Sequence, residues 1–171
     1  MANVPFTSGE VVVATGNYTA GSTPAKSLIF ANPYRTTDGT PVNNSTVLVA
    51  DDVLKFDIGA SEVWAFECGI YWTSATASLK FDFTGPASPT AVIFGYDSAD
   101  SNIAGTPEIV TAFETTLPNY HRATSAFFAV KGVIQNGVNA GTVQLRIAQV
   151  AQVAEDTKLL KGSYLIPRRL A

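Results

Sequence analysis

The chain is poor in the residues that carry most protein chemistry: one cysteine, one histidine and one methionine among 171 residues, with 15% of residues charged. One cysteine excludes an intramolecular disulfide framework and any cysteine-rich zinc site. One histidine, His121, leaves no catalytic arrangement that needs a second imidazole. The charged share falls well below the about 25% of an ordinary soluble domain, too low for a helical bundle with solvated outer faces. No apolar run approaches the roughly 18 residues of a membrane span. Met1–Thr7 (MANVPFT) has neither the basic nor the long apolar stretch of a secretory signal, so a chain made in a cytoplasm, with no membrane partner, is expected. A net charge of −3 and a pI near 5.0 give no electrostatic case for nucleic acid.

What the chain does hold is apolar and turn-rich. Hydrophobic residues reach 46%, too many for a disordered chain, and 31 Ser and Thr, 13 Gly and 9 Pro punctuate them. This is the composition of short β-strands joined by polar turns, in a length that suits one domain. The charges segregate: residues 1–121 carry a balance of −8 and residues 122–171 a balance of +5. Two readings stand, a dipolar protomer whose basic end meets an acidic neighbour, or solvated charges that folding brings back together.

Residues 1–9 show no period and read as an extended arm. Strands are expected at Val11–Thr15 and Lys26–Ala31, then a polar loop from Tyr34 to Ser45, then short strands at Thr46–Val49 and Leu54–Ile58 around Asp51 and Asp52. Val63–Trp72 carries the clearest signal. Trp64, Phe66, Cys68, Ile70 and Trp72 share one parity, which faces a core, while Ala65, Glu67, Gly69 and Tyr71 share the other. Ser78–Phe83 puts Leu79, Phe81 and Phe83 inward and Lys80 and Asp82 outward. Further strands are expected at Ala91–Tyr96, Ile109–Thr115, Thr124–Gln135, Thr142–Ile147 and Leu159–Ile166. Asn136–Gly141 reads as a hairpin turn with glycine at positive φ. Ala148–Asp156 is the best helical stretch, though a strand running into a loop fits equally. About ten strands at this spacing predict an all-β, single-domain antiparallel β-sandwich of jelly-roll type. Residues 1–24 supply the N-terminal arm and first strand, and 25–171 the sandwich.

The chemistry-bearing residues each have a plain account. His121 lies in a loop, and Cys68 sits on the apolar parity of its strand as a small core hydrophobe. Asp97–Asn102 (DSADSN) places three short oxygen-bearing side chains close together, yet lacks the glycine turn and closing glutamate of a calcium loop. Asp51 and Asp52 are adjacent, face opposite ways if extended, and suit hydrogen-bond acceptance better than acid–base work. No phosphate loop, dinucleotide fingerprint or metalloprotease motif occurs. The expectation is a protein without catalytic residues, metal or cofactor. Its aromatics and the small-residue parity at Ala65 and Gly69 suit packing against other copies.

Four segments recur in order in a family of small structural proteins of tailed bacteriophages and prophages. They are Asn44–Phe56 (NSTVLVADDVLKF), Glu62–Trp72 (EVWAFECGIYW), Leu79–Pro86 (LKFDFTGP) and the tail Gly141–Ala171 with its GSYLIPRR ending. The chain resembles this family over residues 25–171. The resemblance implies a virion protein: a homotrimeric capsid decoration protein that binds the major capsid protein on the outer surface of the head and stabilises it. The alternative is a receptor-binding tip of a tail or head fibre. Because no long shaft is visible in the sequence, docking directly onto a shell is favoured. The arm, with Val4, Pro5 and Phe6, and the loop residues Tyr34 and Arg35 are the expected capsid-binding set, since such termini stay disordered until a neighbour ties them down.

Overall fold

The computed structural model describes residues 32–74, 78–96, 108–120 and 125–171, with backbone alone for 78, 108 and 118–120. The arm residues Val4, Pro5 and Phe6, the two strands expected before residue 32, Asp97–Asn102 and His121 lie outside the described residues. Among those described, alternation yields strands and no helix. They are β1 Val42–Asn43, β2 Val49–Ile58, β3 Val63–Ser74, β4 Ser78–Thr84, β5 Ala91–Tyr96 and β6 Glu108–Val110. β7 Leu117–Tyr120, β8 Ser125–Gln135, β9 Gly141–Ala148, β10 Asp156–Leu159 and β11 Tyr164–Arg169 complete the set.

All strand pairs are antiparallel and fall into two sheets. The larger has the order β1-β10-β3-β8-β5-β6, with β11 beside the first half of β3 where β10 flanks its end. The smaller has the order β2-β9-β4-β7. From β2 to β9 the chain changes sheet at every connection except β5 to β6. One face of each sheet is apolar, and the two apolar faces share one core. Phe66 of β3 meets Phe83 of β4 with ring centroids 5.2 Å apart, and Phe81 of β4 meets Phe128 of β8 at 5.1 Å. Trp64, Phe66, Ile70, Leu79, Phe81, Phe83, Val143, Leu145 and Ile147, all expected inside from parity alone, are buried. Burying a side chain of this size stabilises the fold by about 1.5–3 kcal/mol. Within the larger sheet, β8 needs a glycine at 132 to leave room for its neighbours on β5 and β3. A Cβ there would lie 2.5 Å from Phe94 Cβ and 2.7 Å from Phe66 Cε1.

Several local expectations give way to tertiary context. Thr46–Val49 and Leu54–Ile58 are not separate strands. β2 is continuous, and its register against β9 shifts between Ala50 and Lys55. The bulge breaks the alternation that would send Asp51 and Asp52 opposite ways. Asp51 Oδ1 accepts from the N–H groups of Val53 and Leu54 (3.0 and 2.7 Å), which replaces the lost ladder bonds. Pro118–Tyr120, expected in a loop Pro118–Arg122, belong to a strand, β7, on the edge of the smaller sheet, and regular pairing of the Ile109 segment ends at Val110. Leu159–Ile166 is two strands, parted by a turn in which Gly162 adopts φ +97°. Gly137 keeps no such dihedral. It is small because Ser88 O packs where its Cβ would stand. Residues 149–155 form neither helix nor strand, and Gln149 holds them by donating to Glu155 O (2.6 Å). Asp82 takes the outward parity yet is fully buried, because Arg146 closes over it.

The edge at β11 is blunted. The Leu165 N–H donates away from β3, to Pro33 O (2.8 Å), so alternation turns the nitrogen of Pro167 to the same side. Proline has no N–H to offer there, which stops further strand addition.

The turn into β3 is set by Glu62. Its carboxylate accepts from Gly59 N (2.7 Å) and Trp64 Nε1 (2.9 Å) and pairs with Arg169 (2.7 Å). Burial works to raise its pKa, but the hydrogen bonds from Trp64 and Gly59 and the charge of Arg169 outweigh it and hold the group below its ordinary 4.5. A lowered folded pKa contributes stability above the unfolded value, and that stability is lost as pH falls through the folded one. The thermal midpoint of Glu62→Gln should therefore lie below that of the parent at neutral pH, and the gap should close as pH drops below about 4.5. A gap constant with pH would mean the carboxylate charge is not what Gly59, Trp64 and Arg169 hold.

Candidate interaction face

The two sheets turn different outer faces to solvent. On the smaller sheet the outward parity carries Lys55, Asp57, Lys80, Asp82, Thr142, Gln144 and Arg146, a polar face held by Thr142–Asp57 and Arg146–Asp82 hydrogen bonds. On the larger sheet the outward parity is apolar. Ile109 is 68% exposed, Ile93 54% and Phe127 53%, with Val133, Ile166 and Tyr71 also exposed. Such strands place apolar side chains on both parities, which water does not favour unless something covers the outer one.

Strand register arranges this face in rows. Arg168, Ala65, Val133 and Ile93 form one row across β11, β3, β8 and β5. Ile166, Glu67, Lys131 and Gly95 form the next, with Ile109 of β6 beside Gly95. Tyr164, Gly69 and Ala129 follow, then Tyr71 beside Phe127. Tyr164 lies over Gly69, where no Cβ would fit, and its ring centroid is 6.4 Å from that of Phe127. With no side chain at Gly95 and only a methyl at Ala65, the surface sinks into an open depression of about 550 Å³, walled by Ile93, Ile109, Val133 and Ile166 above Phe66 and Phe94.

One charged pair crosses the middle. Lys131 Nζ lies 3.5 Å from Glu67 Oε2, and Tyr164 donates its hydroxyl to Glu67 Oε1 at 2.7 Å. Donation to Glu67 is the main reason the Tyr164 pKa stands above its ordinary value, with burial adding to it. Arg168, at the corner of the face, has no ion pair among the described residues.

No family model, curated protein or solved structure matches the chain. The residues themselves therefore carry the functional reading. Of the expected binding set, Tyr34 is exposed and bridges Tyr164 at the margin of the face. Arg35 is not a surface residue. It is buried, its Nε donates to Asp51 Oδ2 (2.9 Å), and its terminal nitrogen pairs with Asp51 and Asp52. The two carboxylates thus serve a buried cation that ties the segment before β1 to the bulge of β2. Cys68 is fully buried, and burial first, then the charges of Asp51 and Glu67, push its thiol far up. A thiol reagent should label it only when denaturant opens the core. Labelling of the native protein at the rate of a free thiol would show that the core is not closed there. Among the described residues no three His, Cys, Asp or Glu side chains converge on a metal-sized site.

The residues of the face escape a search by parity, since parity looks for one apolar side. Their signal is the failure of alternation in Val92–Phe94, Phe127–Val130 and Leu165–Pro167, where large apolar residues stand next to one another.

Proposed function

We propose that the chain is a non-catalytic structural protein of a phage virion, a decoration protein on the outer surface of the head, built on a jelly roll and made in the host cytoplasm. The jelly-roll reading draws on the strand orders 2-9-4-7 and 3-8-5-6. Eight strands shared four and four, with the chain crossing between sheets at all but one step, are the pattern that two interlocked Greek keys would give, and so support that reading. Fold alone does not assign a task, so the function rests on the surface. The carrying observation is the exposed apolar outer face of the larger sheet, set against a polar outer face on the smaller one. A chain with this asymmetry is made to be covered on one side, and assembly is the use that needs nothing else. The resemblance to phage structural proteins supplies the setting, and the major capsid protein is the partner it implies.

The test is to mix the purified full-length chain separately with undecorated expanded capsids and with host cells. Occupancy on capsids and none on cells is expected. Binding to cells without capsid occupancy would overturn the reading in favour of a fibre tip.

A further inference from the structure

The register of the larger sheet makes its outer face complementary to itself, and we propose that two copies of the chain pair face to face through it. The two-fold axis runs along the strands, midway between β3 and β8. This rests on and deepens the reading of the chain as an assembling module, and puts two copies in place of the three that the resemblance implies.

A half-turn about that axis exchanges β3 with β8 and β11 with β5, and leaves every row where it was. In the central row it sets Glu67 of one copy over Lys131 of the other, twice, so each charge gains a second partner of opposite sign. In the same row it sets Ile166 over the bare backbone of Gly95, where the open depression walled by Ile93, Ile109 and Val133 receives it. Tyr71 stacks over Phe127 two rows away, an aromatic pair on each side of the axis. In the central row, each protrusion on one half of the face meets a recess or an opposite charge on the other half.

Symmetry favours the same conclusion. Among the described residues this is the one outer sheet face that is apolar. A face that must find an apolar partner on an identical chain therefore finds itself, which is the isologous contact of a two-fold pair. A three-fold ring needs a second, different apolar surface. Size agrees as well. The fourteen outward positions of these rows, each about 4.8 Å by about 6.6 Å, cover roughly 450 Å². Two such faces bring together about 900 Å², at the low end of specific interfaces.

Light scattering on the full-length chain at micromolar concentration should give twice 18.0 kDa. A mass of one chain or of three overturns the pairing. Ile166→Glu forces a carboxylate into the depression, and it should reduce the mass to one chain and weaken association at least tenfold, with the circular dichroism unchanged. Unaltered mass overturns the proposal. Should that variant fail to fold, the charge swap decides. Glu67→Lys and Lys131→Glu each put like charges across the axis and should each be monomeric, whereas an equimolar mixture of the two should recover the two-chain mass. A mixture that stays monomeric also overturns it. Capsid occupancy is a separate reading: a two-chain mass with no capsid binding leaves the pairing intact and sinks decoration alone.

Discussion

Replacing Phe81 by Ala is expected to cost about 3–5 kcal/mol of stability, the range for removing a buried ring from a closed core. Phe81 lies on β4, an inner strand of the smaller sheet, and none of it is exposed. Its ring reaches across to the larger sheet, 5.4 Å from Tyr96 in an edge-on contact and 5.1 Å from Phe128. These are contacts between sheets, so the void would open where the two layers meet, with strands on both sides too firmly hydrogen-bonded to collapse into it. In a chain of this length each kcal/mol moves the thermal midpoint by about 2–4 °C, so a fall on the order of 10 °C is expected. Denaturant titration gives the free energy directly. A loss under about 1 kcal/mol would mean that Phe81 does not face the other sheet and that the register of β4 against β9 is wrong.

That residue was legible from the sequence because its strand obeys one rule. Leu79, Phe81 and Phe83 alternate with Lys80 and Asp82, and a period of two needs no tertiary information. The same rule recovered β3, β5, β8 and β9 to within a residue or two. It failed wherever distant groups, not neighbours in sequence, satisfy the backbone. The bulge of β2 depends on Asp51, and through Asp51 on Arg35, sixteen residues away. β7 exists because Leu79 and Phe81 of β4 have a free side for it to pair with, although Leu117–Tyr120 contains a proline that argues against a strand. The division of Leu159–Ile166 turns on one dihedral at Gly162, and nothing in that run announces it.

The interaction face was half legible. The small residues at Ala65 and Gly69 and the adjacent phenylalanines at 127 and 128 marked a surface made for packing. The loop residues Tyr34 and Arg35 read instead as part of a capsid-binding set with the N-terminal arm, because a polar stretch with an arginine reads as solvated. Burial is a property of what folds over a residue, and Asp51 folds over Arg35 from a strand whose course the local pattern does not specify. Gly95 became informative only through register, which places it beside Lys131 and Ile109 and so makes a recess of a missing side chain.

Arg146→Met is expected to cost about 3–5 kcal/mol, although it replaces a partly exposed side chain on the outer face of the smaller sheet. Arg146 donates from Nε to Asp82 Oδ1 at 2.8 Å and from its terminal nitrogen to Asp82 Oδ2 at 2.6 Å, a two-pronged pairing across β9 and β4. Those hydrogen bonds are the first reason its pKa stands above its ordinary value, and Glu114 adds a more distant attraction at 3.6 Å. The guanidinium is about a quarter exposed, but the carboxylate beneath it is not exposed at all. The loss therefore comes less from the attraction removed than from the ion left behind. An unpaired buried carboxylate has given up its hydration with nothing in return, whereas a methionine at 146 offers it no donor. Adding Asp82→Leu to Arg146→Met removes that stranded charge, and the double variant should recover most of the lost stability. The pair of substitutions then couples strongly and non-additively, as groups in direct contact do. Chemical denaturation of the parent, the two single variants and the double variant closes the cycle. Additive losses would show that Asp82 reaches water when Arg146 is gone, and that the outer face of the smaller sheet is looser than its hydrogen bonds indicate.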